Sequence, residues 1–263
     1  MTPEERILPL EGVENFRDYG GYPVPGGRRV VRGRLWRSAH HGGASPADLE
    51  RIAALGLAAI VDLRRPTERA NQPSRRHEGF SARVIDCDAG DQAEPPHVAF
   101  LRETDLSAES ARAFFRDYYR RAPFEPRHVE LFTRYFGALA EGRPVLIHCT
   151  AGKDRTGLLA ALTHQVLGVD EADILADFEL TNLAARIEAR LPQVTESMTE
   201  SLGRRPSETA VRAFLGVDRT YLAEAFAAIR QEAGSVEAYL AGLGVDAPAA
   251  EALRAVWLEP AQA

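Results

Sequence analysis

Cys149 and Arg155 lie six positions apart in the run His148-Cys149-Thr150-Ala151-Gly152-Lys153-Asp154-Arg155-Thr156-Gly157. That spacing has a chemical use. The residues between them can curl so that successive backbone N–H groups point inward as an anion-binding nest. Arg155 can close the ring with a planar fork that matches two phosphate oxygens. Gly152 relieves the steric cost where the backbone turns sharply. A thiol beside a helix N-terminus and cationic groups is favoured as thiolate, the nucleophilic form. One loop would then hold a phosphate dianion and supply the attacking atom. Attack would give a phosphocysteine for water to hydrolyse. The bland alternative is a buried structural cysteine that ends a core strand.

Such a loop needs a strand before it and a helix after it. Val145 to Cys149 (VLIHC) is a short apolar run entered through the turn Gly142-Arg143-Pro144, as a buried strand would be. From Leu158 the pattern is helical, with Leu158, Leu159, Leu162 and Val166 along one face and Gly168 as terminator. The helix N-terminus adds its positive end to the loop. Leu57–Leu63 and Ala82–Cys87 read as two more buried strands, and Arg34–Arg37 could end another. Ser45 and Pro46 open a helix expected to run to Leu55 and stop at Gly56. Asp170 can cap a helix through Leu180, and further helices are expected from about Asp218 to Gln231 and near the C-terminus. Residues 12–34 are Gly- and Pro-rich turns between short extended pieces, 89–105 read as a loop, and 107–141 read as helical with a break at Pro123 and Pro126. Strands alternating with helices predict an α/β fold with a central, mostly parallel sheet flanked by helices and a helical C-terminal part. A ligand is then expected outside the carboxyl ends of the strands.

The chain of 263 residues suits one α/β domain over 1–263. A net charge of −6 gives no global basic field to recruit nucleic acid or anionic lipid, so an anionic substrate must be drawn by local charge. Cys87 and Cys149 are the two cysteines. They make neither a disulfide framework nor a zinc motif, which fits a reducing compartment. The N-terminal MTPEERILPLEG is too polar for a signal peptide, and no apolar run reaches the ~18 residues a membrane span needs. A cytoplasmic location is expected, although secretion by a signal-free route would leave no trace in such features.

The segment HCTAGKDRTG resembles the signature loop of the protein tyrosine phosphatase superfamily, and most of all the atypical bacterial tyrosine-protein phosphatases that also act on phosphoinositides. Asn15-Phe16-Arg17-Asp18-Tyr19-Gly20-Gly21, Leu35-Trp36-Arg37-Ser38-Ala39 and Val61-Asp62-Leu63-Arg64 with Glu68 agree with that resemblance. It spans roughly residues 8–185, and the last third matches only in helical character. The resemblance implies a tyrosine-phosphatase-like fold and no metal or organic cofactor. It implies Cys149 as nucleophile, Arg155 as phosphate clamp and Thr156 as the hydroxyl that helps the thiolate leave, against simple helix capping. Thr150, Ala151, Gly152 and Lys153 complete the phosphate-binding loop. His148 would order it, and Asp62 and Arg64 would brace it. An Arg64–Glu68 pair in a first helical turn is an equal alternative.

The leaving oxygen needs a proton. No Trp-Pro-Asp tripeptide occurs, and the related enzymes point to the Asp inside the loop, here Asp154. Asp86, Asp88 and Asp91 are the alternatives. Lys153 could contact a second phosphate, or simply add positive charge. Cys87 could form a protective disulfide with Cys149, or be a small buried apolar residue. Phe114, Phe115, Tyr118 and Tyr119 could belong to a helical lid within 107–141, or to a core stripe. The expected substrates are phosphotyrosine proteins first, then phosphoinositides or phosphoserine and phosphothreonine proteins. A non-catalytic phosphate-binding module is the competing class. Arsenate reductases and sulfurtransferases use similar loops. A sulfurtransferase has no need of Lys153-Asp154-Arg155 in that order, and an arsenate reductase would need Cys87 as its thiol relay.

Overall fold

The N-terminal Gly- and Pro-rich segment supplies three short strands: β1 (Arg17–Asp18), β2 (Pro23–Val24) and β3 (Arg28–Val30). The computed structural model describes residues 2–89, 100–101 and 107–261. The apolar runs supply β4 (Leu35–Ser38), β5 (Ala59–Asp62), β6 (Arg83–Ile85) and β7 (Val145–His148). One sheet has the order β1-β4-β7-β5-β6, parallel throughout except that β1 runs antiparallel to β4. Alternate residues of β7 face opposite sides. Val145 and Ile147 join the larger apolar cluster, while Leu146 joins a smaller one with Trp36, Ile52 and Ile60. Both faces are therefore covered, as a parallel sheet requires.

The helices follow local signals. Ser45 caps α1 (Pro46–Ala53) in a reciprocal capping box with Asp48. The Asp48 carboxylate also accepts from the Glu11 and Gly12 N–H groups, at 2.7 and 2.8 Å. After α2 (Pro66–Asn71) come α3 (Ala108–Arg121) and α4 (Pro126–Ala140), separated by a single turn at Ala122–Phe124 that contains Pro123. α5 (Asp154–Leu167) ends at Gly168, whose φ of 81° is the left-handed conformation glycine adopts without a Cβ penalty. Asp170 caps α6 (Glu171–Glu179) through the Ala172 N–H. Six more helices follow among the described residues: α7 (Thr181–Ala184), α8 (Ile187–Leu202), α9 (Glu208–Leu215), α10 (Arg219–Ala233), α11 (Val236–Gly242) and α12 (Ala247–Trp257).

Two elements depart from expectation. The chain ends in a strand, β8 (Leu258–Pro260), which pairs with β3 to make a second sheet, β2-β3-β8. Its three residues carry no apolar alternation of their own. The buried Trp257 just before them anchors the segment, its Nε1–H donating to the Leu139 carbonyl at 2.9 Å. Of the expected loop over 89–105, Ala89, Phe100 and Leu101 are described, and Phe100 and Leu101 are helical; the rest lies outside the described residues. Among the described residues no helix is long and apolar enough to cross a membrane.

The register matters most for chemistry. Ser38, His148 and Asp62 stand side by side in one row at the carboxyl ends of β4, β7 and β5. The chain leaves that row at Cys149 and enters α5 five residues later, at Asp154. The candidate loop therefore sits where open α/β sheets place ligands.

Candidate active site

A loop that binds an anion with its N–H groups must send its carbonyls the other way, and those carbonyls need donors. The structure supplies one for each of four consecutive carbonyls. Thr150 accepts from the His40 N–H at 3.2 Å. Ala151 and Gly152 accept from Asn15 Nδ2 at 3.2 and 2.8 Å. Gly152 and Lys153 accept from Arg37 Nη2 at 3.0 and 3.4 Å. Gly152 has φ +67°, and a Cβ there would lie 2.4 Å from the Ser38 carbonyl carbon and oxygen. Only glycine fits against the end of β4. The opening N–H groups of α5 have no acceptor within the helix, and its N-cap position, Lys153, makes no side-chain cap.

The other loop side chains converge around Cys149, which is 2% exposed. Cys149, Thr150, Ala151, Lys153, Asp154 and Arg155 line one cavity. Arg155 is fixed as a fork: Nη1 and Nη2 donate to the two carboxylate oxygens of Glu68 at 2.6 and 2.7 Å, and Nη1 also reaches the Leu63 carbonyl at 3.1 Å. The Thr150 hydroxyl holds the same carboxylate at 2.5 Å. Burial alone would raise the Glu68 pKa, but Arg155 and Thr150 outweigh it and hold the carboxyl well below the usual range. Arg155 is correspondingly locked as a cation. The Thr156 hydroxyl is fully buried with no hydrogen-bond partner among the described residues.

Asp154 opens α5 and lines the cavity, its Oδ1 accepting from Tyr119 OH at 3.1 Å. Asp86 and Asp88 are instead exposed and paired with Arg69, outside the cavity; Asp91 lies outside the described residues. Lys153 lines the same cavity, with Asp154 Oδ2 3.6 Å from its Nζ. Its Nζ is buried and donates to the Phe214 and Gly216 carbonyls at 2.6 and 3.0 Å, over the Phe115 ring at 3.9 Å. The ammonium is thus tied to the end of α9 rather than displayed to a second phosphate. The Arg64–Glu68 alternative does not form: Arg64 pairs with Asp62 (Nη2–Oδ2 2.7 Å), and Glu68 pairs with Arg155. Cys87 and Cys149 are both free thiols, and Cys87 Sγ lies 3.2 Å from Glu130 Oε2. Of the four aromatic residues, Phe114, Phe115 and Tyr118 on α3 line the cavity, while Phe115 and Tyr119 also pack in the core against Tyr221. One helix thus lines the cavity and packs in the core, with Phe115 in both.

The tyrosine phosphatase family model matches residues 8–259. The chain belongs to the tyrosine phosphatase family. That match runs well past residue 185, so the helical last third is part of it. A Cupriavidus necator protein named as a candidate tyrosine-protein phosphatase is 35% identical over 236 residues, 89% of this chain and 82% of that one. The triple specificity protein phosphatase PtpB of Mycobacterium tuberculosis is 33% identical over 280 residues, 96% of this chain and 99% of that one. The crystal structure of P. aeruginosa TpbA overlaps with a TM-score of 0.33 at 18% identity, over 74% of this chain and 95% of that chain.

Several residues on which this phosphatase's site depends carry no motif of their own. Glu68 agrees with the family resemblance and is an alternative partner for Arg64, with nothing in the sequence to join it to Arg155. Asn15 and Arg37 lay in segments that matched the family without a role attached. His41 stacks on His148 at 5.1 Å and shares a hydrogen bond with Ser38 Oγ at 3.1 Å. Its other nitrogen faces Arg76 Nη1 at 3.3 Å, a donor, so that nitrogen accepts. Burial pushes His41 down, and burial holds His148 down to about 4 despite Asp62 Oδ2 at 3.6 Å. His128 behaves alike, also held to about 4 by burial.

These histidines predict an acid instability. Unfolded, each takes up its proton near 6.5; folded, His128 and His148 resist until about 4. The unfolded state binds more protons between those values, so stability is complete above pH 6.5 and is lost as pH falls toward 4. Each contributes roughly 3 kcal/mol across that window. Urea unfolding at pH 7, 5.5 and 4.5 should show the midpoint falling at each step. An unchanged midpoint would show that both rings ionise freely in the folded protein.

Proposed function

We propose that this phosphatase hydrolyses phosphate monoesters by two displacements at Cys149, with phosphotyrosine proteins as its first substrates. The thiolate attacks phosphorus, and the bond to the leaving oxygen breaks with its electron pair going to that oxygen. Asp154 gives the oxygen its proton. Water then attacks the phosphocysteine while Asp154 takes a proton back, and the S–P bond breaks to restore the thiolate. The unpartnered Thr156 hydroxyl can donate to that departing sulfur. The backbone N–H groups of Thr150, Ala151, Gly152 and Lys153 complete the cradle. The observation that carries the reading is the outward turn of four successive loop carbonyls around a cysteine faced by a fixed guanidinium. Glu125 also lines the cavity, with Arg65 at 3.4 Å from its carboxylate, and Asp154 has Lys153 Nζ at 3.6 Å, so pairing does not separate the two; Asp154 is taken as the acid for its place on the phosphate loop itself.

The similar PtpB is named for triple specificity, which supports testing beyond phosphotyrosine. The test is phosphate release, with chelator present, from phosphotyrosine, phosphoserine and phosphothreonine peptides and a panel of phosphoinositides. Radiolabelled substrate, quenched by rapid denaturation, should leave label on the peptide that contains Cys149. Release should be fastest from phosphotyrosine. A preference for polyphosphorylated inositol lipids would mean that Lys153 leaves its carbonyl partners to meet a second phosphate. No release from any substrate by folded, reduced protein would leave a phosphate-binding module.

A further inference from the structure

Asp177 lies on α6, 28 residues beyond Cys149, and lines no part of the cavity. It is 1% exposed, and two fully buried arginines converge on it. Arg37 Nη1 donates to Oδ2 at 2.7 Å, and Arg17 Nε stands 3.6 Å from Oδ1. The Tyr22 hydroxyl donates to Oδ1 at 3.3 Å. From this carboxylate two routes run to one atom of the phosphate loop. Arg37 Nη2 donates to the Gly152 carbonyl at 3.0 Å. Arg17 Nη1 bonds Asn15 Oδ1, and Asn15 Nδ2 donates to that same Gly152 carbonyl at 2.8 Å. Asn15 does this from a left-handed backbone, φ 58°, an unusual position for a residue with a side chain. Arg17 is also tied to α6 directly, through the Asp177 carbonyl at 3.0 Å, and to the start of α7 through the Thr181 hydroxyl at 3.1 Å.

We propose that Asp177 is a positioning residue for the phosphate loop, acting through Arg37, Arg17 and Asn15 to fix the Gly152 carbonyl outward and so aim the neighbouring N–H groups at phosphate. The inference rests on the reading that this loop binds phosphate. Its logic is geometric. A guanidinium without a fixed acceptor on one side cannot hold a carbonyl in one direction on the other. The carboxylate anchors both forks, and Gly157 lets the Phe178 ring and Arg37 approach α5 closely: a Cβ at Gly157 would stand 2.8 Å from that ring and 3.2 Å from Arg37 Nη2.

Charge and position predict opposite signs, which makes the test sharp. Asp177→Asn removes a negative charge from behind the loop. If Asp177 acted only through its field, phosphate would bind more tightly. If it positions the loop, phosphate binds more weakly, because misdirected N–H groups lose their shared target. The measurement is the inhibition constant of inorganic phosphate against phosphotyrosine peptide hydrolysis, taken where circular dichroism shows the variant folded. Wild type serves as the reference. Partial unfolding lowers the concentration of active sites but not this constant. Asp177→Asn should raise it by roughly tenfold or more and lower kcat/KM by a similar factor. If Asp177→Asn does not fold, Arg37→Lys carries the test: it keeps the cation but not the two-sided fork, and should weaken phosphate in the same sense. An unchanged or tightened constant in a folded variant overturns the inference. Wild type that neither releases nor is inhibited by phosphate would instead overturn the reading of the site, and this inference with it.

Discussion

Cys149→Ser is expected to slow phosphate release by on the order of 10⁴-fold or more, while leaving the protein folded and phosphate binding intact. The substitution exchanges one buried atom for a smaller one in a side chain that is 2% exposed, so little packing is lost. The chemistry is lost because a serine hydroxyl is hardly ionised at neutral pH, and no neighbouring side chain is arranged as its base. His148, the adjacent histidine, points its Nδ1 at the Cys149 carbonyl (3.4 Å) and its Nε2 toward Asp62 (3.6 Å), not at the nucleophile. Phosphate affinity should hold or increase, because a thiolate repels a dianion and a hydroxyl does not. The comparison needs Cys87→Ser beside it, which should keep wild-type rates since its hydroxyl can still donate to Glu130. Release by Cys149→Ser within tenfold of wild type would mean that another group attacks phosphorus.

The candidate nucleophile, Cys149, was legible in the sequence because its whole apparatus is contiguous. Strand, cysteine, glycine, arginine and helix occur within residues 145–167, and local geometry alone brings them together. The centre of the sheet was legible for a related reason: β5 and β7, its inner buried strands, are short, nearly unbroken apolar runs. What lay beyond reach were contacts made by long side chains across the fold. Lys153 suggests a hand for a second phosphate when read beside Arg155. Its acceptors are carbonyls at positions 214 and 216, and a carbonyl has no sequence signature. Glu68 and Arg64 are helix neighbours on paper. Asp62, two residues earlier at the end of β5, takes Arg64 because both are buried there, and this leaves Glu68 for Arg155. Asp177 sits in an ordinary amphipathic helix and looks like any acidic residue there. Only packing reveals it as the partner of two arginines from the N-terminal strands. The closing strand β8 was hidden similarly, being placed by Trp257 and β3 rather than by its own composition.

Arg155→Lys is expected to cost nearly as much as loss of the nucleophile, on the order of 10³-fold in kcat/KM, or about 4 kcal/mol, although charge is conserved. The fork faces two ways. Nη1 and Nη2 each take one oxygen of Glu68, which sets the plane of the guanidinium; Nη1 also holds the Leu63 carbonyl, so Nε–H and the second Nη2–H, 3.4 Å from Thr150 Oγ1, are the pair left for phosphate. A lysine ammonium cannot satisfy both carboxylate oxygens and still present two parallel donors to phosphate. It would also sit too close to Glu68, a carboxylate fixed in its ionised form, and spend its charge there. The loss should fall on kcat as well as on KM, because the transferring phosphoryl group spreads its charge over equatorial oxygens that need donors in fixed directions. Steady-state kinetics on a phosphotyrosine peptide would separate the two. A defect confined to KM would make Arg155 a point charge that gathers substrate. A defect in kcat, with the chelator-treated enzyme folded and its thiol titratable, would make the geometry of the fork the quantity that Glu68 and Thr150 are placed to protect.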